Sequence, residues 1–166
     1  MADDANFLEL LHKPMSDFPD RPNFPGDSYF FGKLIGVAAA RSSKQETPFF
    51  NFEIRPTEPG KDVPASALQP IIDGGFTLAD YTAEAQFYIT PKAMTMFRRF
   101  LTSIGFPEST PFFEALALNP ETGEPTEETQ ERIRGKKVMF KTQSPFGDNK
   151  IVFLTKVASI VGVKDD

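Results

Sequence analysis

The stretch TPFFNFEIRP, residues 47–56, has the alternating pattern of a β-strand with one apolar side. Neighbouring side chains of a strand point to opposite faces, so Phe50, Phe52 and Ile54 can share a core. Phe49 and Arg55 then lie together on the outer face, the side of the sheet that points away from the core. An aromatic ring left outside on the same face as an arginine suggests a binding surface.

The segments on either side of this stretch are also predicted to be strands. The run YFFGKLIGVAAA, residues 29–40, predicts a long first strand that bends or bulges at Gly32 and Gly36. A polar turn at residues 41–47 joins it to the opening stretch as an antiparallel hairpin. Residues 81–90 alternate as a third strand.

The second half of the chain is predicted to contain a helix followed by a closing hairpin. Apolar residues recur at helical spacing from Pro91 to Ile104 and stop at Gly105, and a second, short helix is predicted within residues 111–118. Residues 136–142 and 150–161 alternate as two further strands, and residues 144–149 between them have the composition of a turn.

This order of elements, β-β-β-α-β-β, is that of the OB-fold, and the sequence therefore predicts a mainly β, five-stranded OB-fold barrel with one or two helices. An open sheet covered by one helix would show much the same order. Residues 1–27 are predicted to form an acidic, proline-rich arm with little structure of its own, and residues 28–163 the OB-fold domain. Within that domain, residues 57–80 are expected to form a loop excursion with at most one helical turn, and residues 106–131 an acidic insert.

The formal net charge of -5 conceals a strong segregation of charge along the chain. Residues 1–27 carry -4 and residues 106–131 carry -7, whereas residues 132–156 hold seven bases and one acid. Charge acts locally, so the basic segment can attract a polyanion despite the acidic total. A solvated strand pair that merely uses lysine would have the same composition.

Several functional classes lack their sequence signals. The chain has no phosphate loop, dinucleotide-binding glycine motif, nucleophile elbow or zinc-protease motif, and His12 is its only histidine. We therefore expect no catalytic residue, metal site or cofactor; the enzyme alternative is a metal ion bound by carboxylates. The absence of cysteine and of a long apolar run leads us to expect a soluble, cytoplasmic protein without membrane contact.

The binding signals combine cations for phosphates with rings on which bases can stack. The candidate nucleic-acid-binding residues are Tyr29, Phe31, Lys33, Arg41, Lys44, Phe49, Arg55, Tyr88, Lys137, Lys141, Phe146 and Lys150. Because the chain has 18 phenylalanines and no tryptophan, most of its rings are expected in the core. Phe49, which breaks the apolar parity of its strand, and Phe146, which lies in a turn, are the phenylalanines for which an exposed role is most plausible.

Four segments follow one another along residues 24–161: FPGDSYFFGKLIG, TPFFNFEI, FRRFLTSIGFP and RIRGKKVMFKTQSPFGDNKIVFLTKV. In this order they resemble the phage-encoded single-stranded DNA-binding proteins of replication and recombination modules. The resemblance implies an OB-fold, non-catalytic protein of the host cytoplasm that coats single-stranded DNA independently of sequence. It also implies that replication or recombination proteins and further copies of the chain are candidate partners. The competing hypothesis is a structural or assembly β-barrel protein of a virion that contacts other proteins.

Overall fold

A computed structural model describes residues 2–17, 24–42, 46–143 and 154–163, and these described residues form five β-strands and five α-helices. The strands are β1 (Tyr29–Arg41), β2 (Pro48–Pro59), β3 (Thr82–Tyr88), β4 (Lys137–Thr142) and β5 (Leu154–Gly162). The helices are α1 (Ala2–Leu11), α2 (Ala65–Asp73), α3 (Met94–Ser103), α4 (Phe112–Ala115) and α5 (Glu127–Ile133).

The five strands form one mainly β, barrel-like sheet. β1 pairs with β2 and β4, β2 also pairs with β3, and β4 also pairs with β5, all in antiparallel register. β3 and β5 are joined by a short parallel pairing from Thr82 to Glu84, so the strand order β1-β2-β3-β5-β4 leads back to β1. The predicted mainly β class and the predicted β1–β2 hairpin are confirmed.

The core is built largely from phenylalanine, as the composition indicates. Phe50, Phe52 and Ile54 of β2 are buried, which confirms the predicted parity of the opening stretch. The ring of Phe52 lies 5.7 Å from that of Phe87 on β3 and 5.1 Å from that of Phe100 on α3. Aromatic contacts of this kind contribute beyond the burial of their area, so α3 is held on the barrel by ring packing.

Both glycines predicted to disturb β1 coincide with irregularities in its pairing with β2. The register shifts between Phe31 and Gly32 and again between Leu34 and Gly36. A Cβ atom on Gly32 would lie 2.7 Å from the carbonyl oxygen of Arg55, so a larger residue would force the strands apart. Glycine therefore permits the close approach of β1 and β2 beside the Arg55 position.

The arm differs from its prediction in two respects. Residues 2–11, expected to have little structure, form helix α1, and Phe24 is buried in the barrel core. The Phe24 ring lies 4.5 Å from that of Phe30 and 5.3 Å from that of Tyr81. The packed domain therefore begins upstream of the predicted boundary at residue 28, because an aromatic residue between prolines can fill the core without a strand around it.

The prediction of one or two helices was wrong, since the described residues contain five. α2 runs for nine residues where one helical turn was expected, and it contains Pro70. α5 lies at the end of the predicted acidic insert, capped by Thr126, whose side chain accepts a hydrogen bond from the Thr129 amide. α3 begins three residues after the predicted Pro91, and α4 confirms the second short helix.

The closing strands follow the prediction where they can be compared. β4 begins one residue later than expected, with Val138 and Phe140 buried. The predicted turn at residues 144–149 and the first part of the predicted fifth strand lie outside the described residues. In the part of the chain that the structure describes, no helix has the length and apolar character needed to cross a membrane.

Helix α5 takes over hydrogen bonding to β1 where β4 no longer reaches it. Next to β4, the Gly135 amide donates a hydrogen bond to the Leu34 carbonyl, and the Leu34 amide donates one to the Lys136 carbonyl. Further along, the side chain of Gln130 accepts a hydrogen bond from the Val37 amide at 2.8 Å and donates one to the Val37 carbonyl at 2.7 Å. The Gln130 side chain thus makes the two hydrogen bonds to Val37 that the backbone of a neighbouring strand would otherwise make.

Replacing Gln130 with alanine should lower the free energy of unfolding by about 1 to 3 kcal/mol, because both backbone groups of Val37 lose their partner. Thermal and urea denaturation would measure the change. Gln69→Ala is the matched control, since Gln69 is exposed and its side chain donates a hydrogen bond to Asp73 on its own helix. Equal effects of the two substitutions would contradict a stabilising role for the Gln130 bridge.

Candidate nucleic-acid interface

Three basic residues lie side by side across three neighbouring strands. Lys33 of β1 is paired with Arg55 of β2 on one side and with Lys137 of β4 on the other. Lys33 and Arg55 are exposed and Lys137 is partly exposed. Residues directly opposite on neighbouring strands have Cβ atoms about 5 Å apart, so their like charges repel unless an anion is bound between them. We call these three residues the basic row.

An aromatic and apolar strip lies next to the basic row. Phe31, two positions before Lys33 and on the same face, is paired with Met139 of β4, which is paired in turn with Val161 of β5. Phe31 and Met139 are partly exposed, and Val161 is exposed. The strip therefore offers flat and apolar contact area at the edge of a row of cations.

Tyr29 and Lys141 form a further pair on the same face. The Lys141 ammonium lies 5.5 Å from the centre of the Tyr29 ring and 3.3 Å from a carboxylate oxygen of Asp27. The hydrogen bond from Lys141 to Asp27, together with the charge of Asp27, raises the pKa of Lys141 above its ordinary value. Lys141 is therefore charged at neutral pH and is held by an acid that an incoming phosphate would have to displace.

A second group of candidate residues lies at the far end of β2. Phe49 is paired with Tyr88 of β3, and the centres of their rings are 5.4 Å apart. Phe49 is partly exposed and Tyr88 is exposed, as the strand parity predicts. Arg41 ends β1 opposite Pro48 and donates a hydrogen bond to the Glu46 carbonyl across the turn. We call Arg41, Phe49 and Tyr88 the aromatic end.

The surface between the two groups is polar and acidic. Phe49 and Arg55 are six positions apart, which is about 20 Å along a strand. Between them, Asn51 is paired with Gln86 and Glu53 with Glu84. The two glutamates face each other across β2 and β3, so a phosphate backbone would be repelled there. The side-chain oxygen of Asn51 is buried and lacks a hydrogen-bond partner.

The structure brings most of the predicted residues into these two groups rather than onto one continuous face. Tyr29, Phe31, Lys33, Arg55, Lys137 and Lys141 lie around the basic row, which we call the β1–β4 face. Arg41, Phe49 and Tyr88 form the aromatic end, whereas Lys44, Phe146 and Lys150 lie outside the described residues. The expectation of one groove that holds Phe49 together with Arg55 is therefore not met.

Sequence reasoning missed three residues that shape these surfaces. Asp27 was assigned to the arm, but it reaches Lys141 because the segment from Phe24 packs on the barrel. The sequence did not identify Met139 as a neighbour of Phe31, and it did not place Glu84 opposite Glu53. Strand register supplies the contacts of Met139 and Glu84, and alternation alone does not specify it.

Comparisons with known proteins assign no family to this chain. A scan against protein-family models finds no match, and a search of curated proteins finds no significant relative. Within the described ranges, no group of three or more histidine, aspartate or glutamate residues is arranged to hold a metal ion.

Proposed function

We propose that this protein binds single-stranded DNA without sequence preference through the β1–β4 face. The observation that carries the proposal is the basic row, in which Lys33, Arg55 and Lys137 occupy adjacent positions on three strands. Three adjacent cations suit the backbone phosphates of a strand, and such contacts carry no sequence information.

Bases can stack on the rings of the same face while the backbone follows the basic row. Phe31 lies two positions before Lys33 on β1. Tyr29 lies two positions before Phe31 and is paired with Lys141 of β4. Stacking of a base on an aromatic side chain contributes roughly 1 to 3 kcal/mol and tolerates every base. Rings and cations on neighbouring positions therefore support a sequence-independent mode of binding.

The strand order supports the assignment of an OB-fold barrel. In that fold, β1 is shared between two parts of the barrel, and a helix connects the third and fourth strands. Here β1 pairs with both β2 and β4, and α3 lies between β3 and β4 in the chain. OB-folds commonly bind single strands on the outer face of β2 and β3, so the aromatic end is a second contact for a longer strand.

The proposed role is to coat and protect displaced single strands during phage DNA replication or recombination, without chemistry of its own. The ligand is then single-stranded DNA, and proteins of the replication or recombination module are partners of the coated strand. The host cytoplasm is the compartment where such strands arise. This role rests on the β1–β4 face together with the family resemblance of residues 24–161.

Titration with fluorescent oligo-dT of about 30 nucleotides tests the proposal, because a strand of that length spans one OB-fold domain. Measured at several salt concentrations, the logarithm of the association constant should fall with a slope of about -0.7 for each neutralised phosphate. Three contacts at the basic row alone predict a slope near -2. Absence of binding at low salt would refute the function, and degradation of the oligonucleotide with magnesium would indicate a nuclease.

Replacing Asp27 with asparagine should tighten oligo-dT binding about fivefold at roughly 0.1 M salt, since it frees Lys141 for one more phosphate. Asp27 has a positive φ of 51°, a backbone conformation that asparagine also tolerates. Glu108→Gln is the matched control, because it releases Arg98 of α3 from an ion pair with Glu108, and both residues lie outside the two groups. Equal tightening by both variants would show a general charge effect instead of a role for Lys141.

A virion assembly protein that contacts other proteins is the alternative, and one observation favours it. An apolar groove of about 640 Å³ lies next to the aromatic end, with Phe112 and Phe113 among its lining residues. Apolar surface of this kind also marks protein contacts. The oligo-dT titration separates the two functions, because an assembly protein would show no binding to single strands.

A further inference from the structure

The apolar groove beside the aromatic end has one wall that is built from the acidic insert, residues 106–131. This wall contributes Phe112, Phe113 and Leu118 to the lining, whereas the rest of the lining comes mainly from α3, the end of β1 and the beginning of β2. The volume of the groove is about 640 Å³, and the side chain of Phe113 is 50% exposed. An open apolar groove with a half-exposed ring is typical of a surface that contacts another protein.

The insert gives this groove a negative surrounding. It carries -7, because it contains seven glutamates and no base. Two of these glutamates form ion pairs with arginines, and within the described residues the other five form none. Glu124 lines the groove, and Glu114 and Glu121 are exposed and directly adjoin lining residues in the chain, whereas one base, Arg41, lines it. Charges act over about 10 Å at ordinary salt, so the insert side of the groove attracts a cationic partner.

The N-terminal arm is a poor occupant of this groove, although helix α1 has exposed apolar side chains. Phe7, Leu8 and Leu11 are between 56% and 68% exposed. The sequence of α1 contains three acids and no base, and residues 1–27 together carry -4. Docking of the arm would bring like charges together, whether the arm belonged to the same chain or to a second copy. A phosphate backbone would be repelled for the same reason, so charge favours a basic segment of a different protein.

We propose that this groove binds an amphipathic helix of a partner protein, apolar on one side and rich in lysine or arginine on the other. Apolar residues at i, i+3 or i+4, and i+7 of that helix fill the groove. Its basic residues lie beside the carboxylates of the insert, which select this partner and steer its approach. The inference does not require DNA binding. Phe49 of the aromatic end and Arg55 of the basic row are about 20 Å apart along β2, so the groove and the basic row can be occupied together.

Fluorescence anisotropy of the full-length protein with two synthetic peptides tests this partner chemistry. The first probe is a labelled amphipathic peptide of leucine and lysine, about 14 residues long, which gives four helical turns. The second probe has glutamate in place of every lysine. The leucine–lysine peptide should bind with a dissociation constant of about 10 to 100 μM, and the leucine–glutamate peptide at least about tenfold more weakly. A leucine–lysine peptide that does not bind, or two peptides that bind equally, would overturn the proposal.

Removal of an apolar side chain locates the peptide in the groove. Phe113→Ala should weaken binding of the leucine–lysine peptide about tenfold, because the apolar contact area of the ring is lost. Ile72→Ala is the control, since Ile72 is an exposed apolar residue on α2 that does not line the groove. Equal losses in both variants would show binding without a defined site and would refute the groove. Circular dichroism should show Phe113→Ala folded; if it is unfolded, the glutamate variants decide.

Removal of charge tests the role of the insert wall. The wall variant replaces the three glutamates that line or adjoin the groove: Glu114→Gln, Glu121→Gln and Glu124→Gln. It should bind the leucine–lysine peptide about tenfold more weakly at low salt and show a smaller salt dependence. The control variant removes three exposed acids from other parts of the chain: Glu9→Gln, Glu53→Gln and Glu58→Gln. Equal weakening by both triple variants would reduce the effect to total charge and would contradict the proposal.

An arm variant tests the other occupant. Leu8→Ser with Leu11→Ser removes apolar side chains from α1 without changing its charge. We expect this variant to bind the leucine–lysine peptide as the wild type does. If the arm of the same chain or of a second copy filled the groove, the variant would bind the peptide several-fold more tightly, and the proposal would be wrong. The oligo-dT titration is a separate measurement, so failure of DNA binding would leave the peptide result standing.

Discussion

Substituting Lys33, Arg55 and Lys137 together with glutamine should weaken oligo-dT binding about a hundredfold at roughly 0.1 M salt. Each phosphate contact on a single strand contributes about 0.7 to the salt slope, which corresponds to about a fivefold change at this salt concentration. Three contacts multiply to about a hundredfold. The slope of the logarithm of the association constant against the logarithm of salt should become less steep by about 2.

A matched triple variant separates the basic row from total charge. Lys13→Gln, Lys92→Gln and Arg99→Gln remove the same number of charges from exposed positions outside the basic row. Fluorescence anisotropy at four salt concentrations would compare the two triple variants with the wild type. If both lost affinity equally, binding would follow overall charge, and the proposal that the basic row holds the strand would be wrong.

The removed charges should not weaken the fold. Lys33 lies between Arg55 and Lys137, and like charges on directly opposed strand positions destabilise a sheet. We therefore expect the row variant to melt at the same temperature as the wild type or slightly higher. Loss of binding together with unchanged or raised stability would identify the row as a surface kept for a ligand.

The strands and the core could be predicted from the sequence because alternation is a local signal. Phe50, Phe52 and Ile54 alternate with polar neighbours, and the structure buries all three. Helix α5 escaped prediction because its seven residues are mostly polar, and it is held by Thr126 and by the bridge from Gln130 to Val37. Contacts between residues 93 positions apart leave no pattern in a local window of sequence.

The candidate site could be predicted only in its composition. Parity correctly placed Arg55 and Tyr88 on the outer face, because a strand alternates wherever it pairs, whereas Gly32 and Gly36 left the facing of Lys33 undetermined. Their division into two groups depends on register: Glu53 meets Glu84 in the middle of the face, and β4 brings Lys137 beside Lys33. Register is set by bulges and by pairing partners distant in the chain, which a single sequence does not specify.

Replacing Phe52 with alanine should produce the largest loss of stability, about 3 to 5 kcal/mol. The side chain is fully buried, and its ring lies 5.1 Å from that of Phe100, 5.7 Å from that of Phe87 and 6.1 Å from that of Phe97. The cavity left by the missing ring would weaken the packing of β2 against both β3 and α3. Calorimetry should show a melting temperature lower by roughly 6 to 20 °C, since each kcal/mol corresponds to about 2 to 4 °C in a chain of this length.

Phe49→Ala is the matched control, because Phe49 lies on the same strand with the opposite parity. Its ring is partly exposed and contacts Tyr88, so its removal should cost only about 1 kcal/mol of stability. Its effect should appear in affinity, as at least a fivefold loss for strands long enough to reach the aromatic end, because a stacked base is lost. Phe52→Ala should leave affinity unchanged well below its melting temperature. A large stability loss in Phe49→Ala with unchanged affinity would show that both rings are core, and the aromatic end would then have no role in binding.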